Sequence, residues 1–221
     1  MIVDLHTHTV FSDGALIPAE SARRAMVAGY AGIAFTDHAD ASNIEHILKS
    51  ILKFKEAHNK LNIDFKVLAG VELTHVHPSQ IAELTAFARS LGADIVVVHG
   101  EVFVESVAEG TNRAAIEAGV DILAHPGLMT KADVRLAVER GVCLEITTRK
   151  GNALANGHVA MLAKRHGAKL VVNNDFHTPG EYVGLAMATK ILRGAGLTED
   201  EAKQVIQNGN ELFKHKLGST L

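Results

Sequence analysis

A chain of 221 residues can bury one sizeable core, and its formal net charge of −3 gives no support to a nucleic-acid surface or a polybasic membrane patch. Hydrophobic residues at 47% and charged residues at 21% are ordinary for a globular protein, and the outlying figure is thirteen histidines. The single cysteine, Cys143, excludes an intrachain disulfide and points to a reducing, cytoplasmic setting. It lies in the apolar run Gly141-Val142-Cys143-Leu144 and reads as an inert buried thiol. No basic-then-apolar leader opens the sequence, and no apolar run approaches the ~18 residues of a membrane span, so no membrane partner is expected.

Ile2, Val3 and Leu5 make a short first strand that runs into His6-Thr7-His8. Residues two apart on a strand share a face, so His6 and His8 project together as half of a metal site. Asp13, in the loop Phe11-Ser12-Asp13-Gly14, is close enough to add an oxygen ligand. Pro18 to Ala28 predicts a helix stopped by Gly29. Gly32 to Thr36 is the second strand, ending in Asp37-His38. Ile44, Ile47, Leu48, Ile51 and Leu52 recur at helical spacing within Ile44 to His58. Phe65 to Val71 is a third strand ending in Glu72, and Pro78 starts a helix that runs to Leu91. Asp94 to Val98 ends in His99-Gly100, and a short helix near Thr111 to Ala118 leads to Val120 to Ala124, which ends in His125-Pro126-Gly127. Lys131 to Arg140 reads as helix, Val142 to Ile146 as strand, Ala153 to His166 as helix, and Leu170 to Asn174 as the seventh strand, ending in Asp175-Phe176-His177. Two helices within 183–216 close the chain, the second opened by a Thr198/Glu201 capping box.

Seven alternations of strand and helix with short connections imply a parallel sheet. All seven strands end in something polar or chemically useful. A closed barrel gathers such groups at one mouth, whereas an open sheet draws on only one or a few loops. The expectation is therefore a seven-stranded barrel occupying residues 1–221 as one domain, with the closing helices packed on it. At its mouth stand His6, His8, Asp13, His38, Glu72, His99, His125, Asp175 and His177, six imidazoles and three carboxylates. One zinc takes about four ligands, so this count suits two or three divalent ions, with carboxylates able to bridge.

Taken in order, His6-Thr7-His8 with Ser12-Asp13-Gly14, Thr36-Asp37-His38, Gly70-Val71-Glu72, His99-Gly100, His125-Pro126 and Asp175-Phe176-His177 resemble the motifs of the PHP (polymerase and histidinol phosphatase) family. The resemblance implies a distorted (β/α)7 TIM-like barrel that binds two or three zinc, manganese or iron ions and hydrolyses phosphoesters. It implies one metal held by His6, His8, Glu72 and Asp175, and a second by Asp13, His38 and His177. A third would share Glu72 with His99 and His125. Some members carry histidine in place of Asp13; a carboxylate is a harder ligand and favours manganese or iron there.

The expected activity is a metal-dependent phosphatase or phosphoesterase acting on a small phosphomonoester of the histidinol-phosphate or nucleotide type. Attack would come from a metal-activated hydroxide, with His177, Asp13 and Asp175 the catalytic candidates. Arg149 and Lys150 follow the sixth strand and are candidate phosphate ligands, and His75 is a candidate substrate contact on the third loop. Glu145 and Asp37 are read as groups that orient ligand histidines. His46, His58, His158, His166 and His215 fall in helices, away from strand ends, and are read as surface or satisfied. The alternatives are a PHP-type nuclease or proofreading exonuclease, an amidohydrolase-like deaminase, and a non-catalytic barrel. Against them stand the missing basic groove, the strand count with Glu72 ending the third strand, and the complete ligand set.

Overall fold

A computed structural model describes residues 2–61 and 63–218. The strands are β1 (Ile2–Thr7), β2 (Tyr30–Phe35), β3 (His38–Ala39), β4 (Lys66–Leu73), β5 (Ile95–His99), β6 (Ile122–Ala124), β7 (Cys143–Thr147) and β8 (Leu170–Asn173). All pair in parallel in the order β1-β2-β4-β5-β6-β7-β8, and the two-residue β3 pairs with β4 beyond the end of β2. The short β3 thus continues β2's position after a break at Thr36-Asp37, and the barrel keeps seven staves. It is nearly closed. Between β8 and β1, Leu5 donates its backbone N–H to Asn173 Oδ1 (3.0 Å), and His8 donates to the Phe176 carbonyl (2.9 Å). Side-chain oxygens and loop backbone thereby replace part of the ladder at this seam.

Helices α1 (Pro18–Val27), α2 (Ile44–Asn59), α3 (Pro78–Ser90), α4 (Thr111–Glu117), α5 (Lys131–Arg140) and α6 (Asn156–His166) cover the outside, followed by α7 (Leu185–Gly194) and α8 (Glu199–Gly218). The helix expected from Ala153 begins as a 3-10 turn, Asn152–Ala155, before α6. Thr198 and Glu201 form the expected capping box, with Thr198 N to Glu201 Oε2 at 2.8 Å and Glu201 N to Thr198 Oγ1 at 3.3 Å. Among the described residues no helix is long and apolar enough to cross a membrane.

Two apolar layers separate on strand parity. Val3, Leu5, Ala34, Leu68, Ile95, Val97, Ile122, Ala124, Cys143 and Val171 fill the lumen, and Phe213 of α8 plugs its lower end. A Cβ at Gly32 would lie 2.3 Å from the Phe213 ring, so glycine makes room for that plug. Outward residues such as Ile33, Val67, Val96 and Leu144 pack with the helices.

The same parity positions the site. Glu72 continues the inward row of Leu68, His99 that of Ile95 and Val97, and Glu145 that of Cys143. Parity alone would send His6 and His8 outward, because Val3 and Leu5 point in. The β1–β2 register shifts between Asp4 and Thr7, and that irregularity swings both imidazoles into the mouth.

Candidate metal centre

At the mouth the nine predicted ligands converge. His6 lies deepest and is fully buried. Its Nδ1 donates to Glu145 Oε1 at 2.9 Å, which leaves Nε2 facing Glu72 Oε1 at 3.2 Å and Asp175 Oδ1 at 3.7 Å. His8 Nε2 stands 3.2 Å from Asp175 Oδ1. Glu145 also accepts from Asn173 Nδ2 (2.8 Å) and from the His125 backbone N–H (3.1 Å), so one buried carboxylate fixes two histidines.

Glu72 is divided. Its Oε2 is tied to His38 Nδ1 (2.6 Å) and the Thr74 hydroxyl (3.1 Å). Its Oε1 has no hydrogen-bond partner and faces His6, His99 Nδ1 (3.4 Å) and His125 Nε2 (3.6 Å). His38, having used Nδ1, turns Nε2 to Asp13 Oδ1 (3.5 Å) and His177 Nε2 (3.4 Å); His177 Nε2 is 3.2 Å from the same Asp13 oxygen. Asp13 reaches this position because its loop folds back beneath His8, where a Cβ at Gly14 would lie 2.5 Å from the His8 carbonyl, and because Ala15 N–H donates to the His177 carbonyl (2.7 Å).

The backbone is strained here. Among the described residues, non-glycine residues with positive φ are His75 (54°), His125 (26°) and Asp175 (51°), all at the mouth. The twist at His125 and Asp175 turns each away from the plain continuation of its strand.

Electrostatics follow from crowding. Burial pushes the His6 imidazole down, but Glu72, Glu145 and Asp175 outweigh it and hold it well above the usual range. Burial lowers His8 well below that range and His125 to about 3. Burial raises Asp175 to about 6 and Asp4, below His6, to about 7. Burial opposes ionisation of Asp13, yet the His177 and His38 imidazoles hold it at about 2.

These residues fit divalent ions. A tetrahedral ion with ligand bonds near 2.05 Å separates its donors by roughly 3.3 Å. Asp13, His38 and His177 form a triangle with edges of 3.5, 3.2 and 3.4 Å, and His6–Glu72 and His8–Asp175 are each 3.2 Å. Among the described residues, buried His6 Nε2, both nitrogens of His8 and His125, Glu72 Oε1 and Asp175 Oδ1 have no hydrogen-bond partner, a costly arrangement without a cation. Compact groups able to hold an ion are His8/Asp13/His38/His177, His6/Glu72/His125, His6/His8/Asp175 and His75/His99/Glu105.

A profile of the PHP domain matches residues 4–165. The chain belongs to the PHP family. It is 46% identical over 207 residues to an uncharacterized protein of Methanocaldococcus jannaschii, covering 93% of this chain and 95% of that one. A probable phosphatase of Thermoanaerobacter sp. is 28% identical over 90% of this chain and 89% of its own length. Ribonuclease P protein component 3 of Methanosarcina mazei is 33% identical over 66% of this chain and 56% of that protein. In fold, the chain resembles histidinol phosphate phosphatase of Lactococcus lactis, solved with zinc, L-histidinol and phosphate, at TM-score 0.62 and 18% identity, covering 89% of this chain and 94% of that one. Family and relatives support a hydrolase of the phosphatase type.

Other residues depart from expectation. Asp37 does not orient His38: it accepts from Thr9 N–H (2.7 Å), the Thr9 hydroxyl and Ser12 Oγ (2.8 Å), and so shapes the loop that carries Asp13. Arg149 is at the site, with Nη1 2.8 Å from the Asp175 carbonyl and 2.6 Å from His177 Nδ1, while Lys150 is exposed beside it. His77 caps α3, accepting from Ser79 N–H at 3.3 Å. His75 meets Glu105 and, of the nine-residue centre, the ring of His99. Sequence reading missed Glu105, Asn152, whose Nδ2 is 3.3 Å from Asp175 Oδ2, and Asn173. Glu105 and Asn152 lie in no motif, and Asn173, the last residue of β8, precedes the motif Asp175-Phe176-His177; only its inward parity with Val171 signalled it.

Proposed function

We propose that the chain is a metal-dependent phosphoesterase hydrolysing a small phosphomonoester, of the histidinol-phosphate or nucleotide type. The observation that carries this reading is the set of buried, unpartnered ligand atoms facing one another at the barrel mouth, with Arg149 beside them. His6, His8, Glu72 and Asp175 would hold one ion, Asp13, His38 and His177 a second, and Glu72 Oε1 with His99 and His125 a third. When bound, zinc, manganese or iron would neutralise phosphate oxygens and lower the pKa of a water toward ~7.

The chain's own groups then have separate tasks. Asp13 is ionised and exposed, placed to accept a hydrogen bond from an incoming water. His177, if it lends its Nε2 lone pair to an ion, keeps its proton on Nδ1 and donates it to the Asp175 carbonyl, 3.0 Å away. Arg149 then has no acceptor at His177 Nδ1 and stays anchored by the Asp175 carbonyl (2.8 Å), which leaves its remaining N–H groups for an anionic substrate, with Lys150 further out. Asp175, whose pKa burial raises to about 6, holds the inner histidines. A reducing, cytoplasmic setting belongs to this reading and rests on the lone buried Cys143.

The test is a phosphatase screen with manganese, zinc or iron supplied, using histidinol phosphate, nucleoside monophosphates, nucleoside 3′,5′-bisphosphates and an aryl phosphate. Metal-dependent release of phosphate from at least one is expected, and no release from any contradicts the reading. The ribonuclease P relative supports a second reading, an RNA-associated barrel. Salt-sensitive RNA binding without phosphatase activity would select it.

A further inference from the structure

At the rim of the nine-residue centre, His75 and Glu105, neither of them among the nine, come together with His99, which is. Glu105 Oε2 lies 3.3 Å from His99 Nε2 and 3.5 Å from His75 Nε2, the spacing of donors around a tetrahedral ion. His99 is 4% exposed, and its Nε2 is aimed at this cluster with no hydrogen-bond partner. Glu105 sits on the 100–110 loop, whose base is clamped: Glu101 Oε1 accepts from the backbone of Gly110 (3.1 Å) and Asn112 (2.8 Å), and Asn112 Oδ1 accepts from Glu101 N–H (3.0 Å). His75 comes from the turn between β4 and α3. Two imidazoles and a carboxylate, from the β4–α3 turn, the end of β5 and the loop that follows it, with one side open to solvent, make a zinc-type donor set.

We infer that His75, His99 and Glu105 form an outer divalent-cation site that shares His99 with the inner centre. A neutral imidazole has one lone pair. When His99 serves the outer ion through Nε2, its Nδ1 keeps a proton toward Glu72 and cannot serve a third inner ion. The two positions are therefore exclusive at His99, and the outer one is the exchangeable, solvent-reached position. This inference goes beyond the phosphoesterase reading and is read by metal binding alone, so the two can fail separately.

The experiment is zinc titration against a chromogenic chelator with the full-length protein, comparing wild type, His75→Ala, Glu105→Gln and His125→Ala. The His75 and Glu105 side chains are 46% and 38% exposed, so these variants keep the fold. The weakest zinc class is expected to loosen on the order of ten- to a hundredfold in His75→Ala and in Glu105→Gln, with the tighter ions unchanged, and to persist in His125→Ala. Zinc should also slow proteolysis within 100–110 in wild type and not in the two rim variants. Unchanged titrations in either rim variant, loss of the tight ions instead, or loss of the weak class in His125→Ala overturns the site.

Discussion

The inner and outer halves of the centre are built differently. His6, His8, Glu72, His125 and Asp175 are all at most 2% exposed, and Glu145 and Asn173 brace them from the strands behind. Asp13, His38 and Arg149 have side chains 59%, 26% and 30% exposed; Asp13 and Arg149 lie on loops and His38 on the two-residue β3. The inner half is preorganised, so disturbing it should cost ions and the rate together. The outer half can rearrange, so disturbing it should shift affinity and metal preference.

The largest effect is expected at Glu72. Glu72→Gln removes the charge at the oxygen facing three histidines, and should lose at least one ion and roughly a thousandfold in kcat, measured by elemental analysis with steady-state kinetics. Full metal content with near-normal kcat would remove its bridging role. Glu145→Gln touches no proposed ion, yet it frees His6 Nδ1; zinc affinity should fall about 10–100-fold, read by chelator competition. Arg149→Ala should keep every ion and lose about 1.5–3 kcal/mol of substrate affinity, seen in KM rather than kcat.

pH sharpens the same contrast. In the metal-free protein burial lowers His99, but Glu105 and Glu72 outweigh it and raise it to about 10; Glu72 likewise outweighs burial to raise His38 above its usual value. An ion must displace those protons, so apparent zinc affinity should rise with pH across the neutral range. Titrations at three pH values giving equal affinities would contradict this. The smallest effect is expected for Asp13→His, a swap at the exposed rim that should move preference from manganese toward zinc with little change in stability.

Much of this was legible in the sequence because the seven staves are apolar runs ending in motif residues, and because inward parity carries Leu68 to Glu72 and Val97 to His99. What was hidden depends on backbone that deviates from its pattern. The register shift in β1 turns His6 and His8 inward, and the positive φ at His125 and Asp175 re-aims both side chains. Glu105 sits in a loop with no motif, and only the fold brings it to His99. Asp37 stands directly before the candidate ligand His38, yet its oxygens turn to Thr9 and Ser12 because β2 breaks there.

The most direct test of the account is anomalous diffraction from crystals soaked in zinc or manganese. Two or three peaks are predicted within bonding distance of His6, His8, Glu72 and Asp175, of Asp13, His38 and His177, and of His99. A reloaded protein with no peak among these atoms, or one holding fewer than one ion per chain, would contradict it.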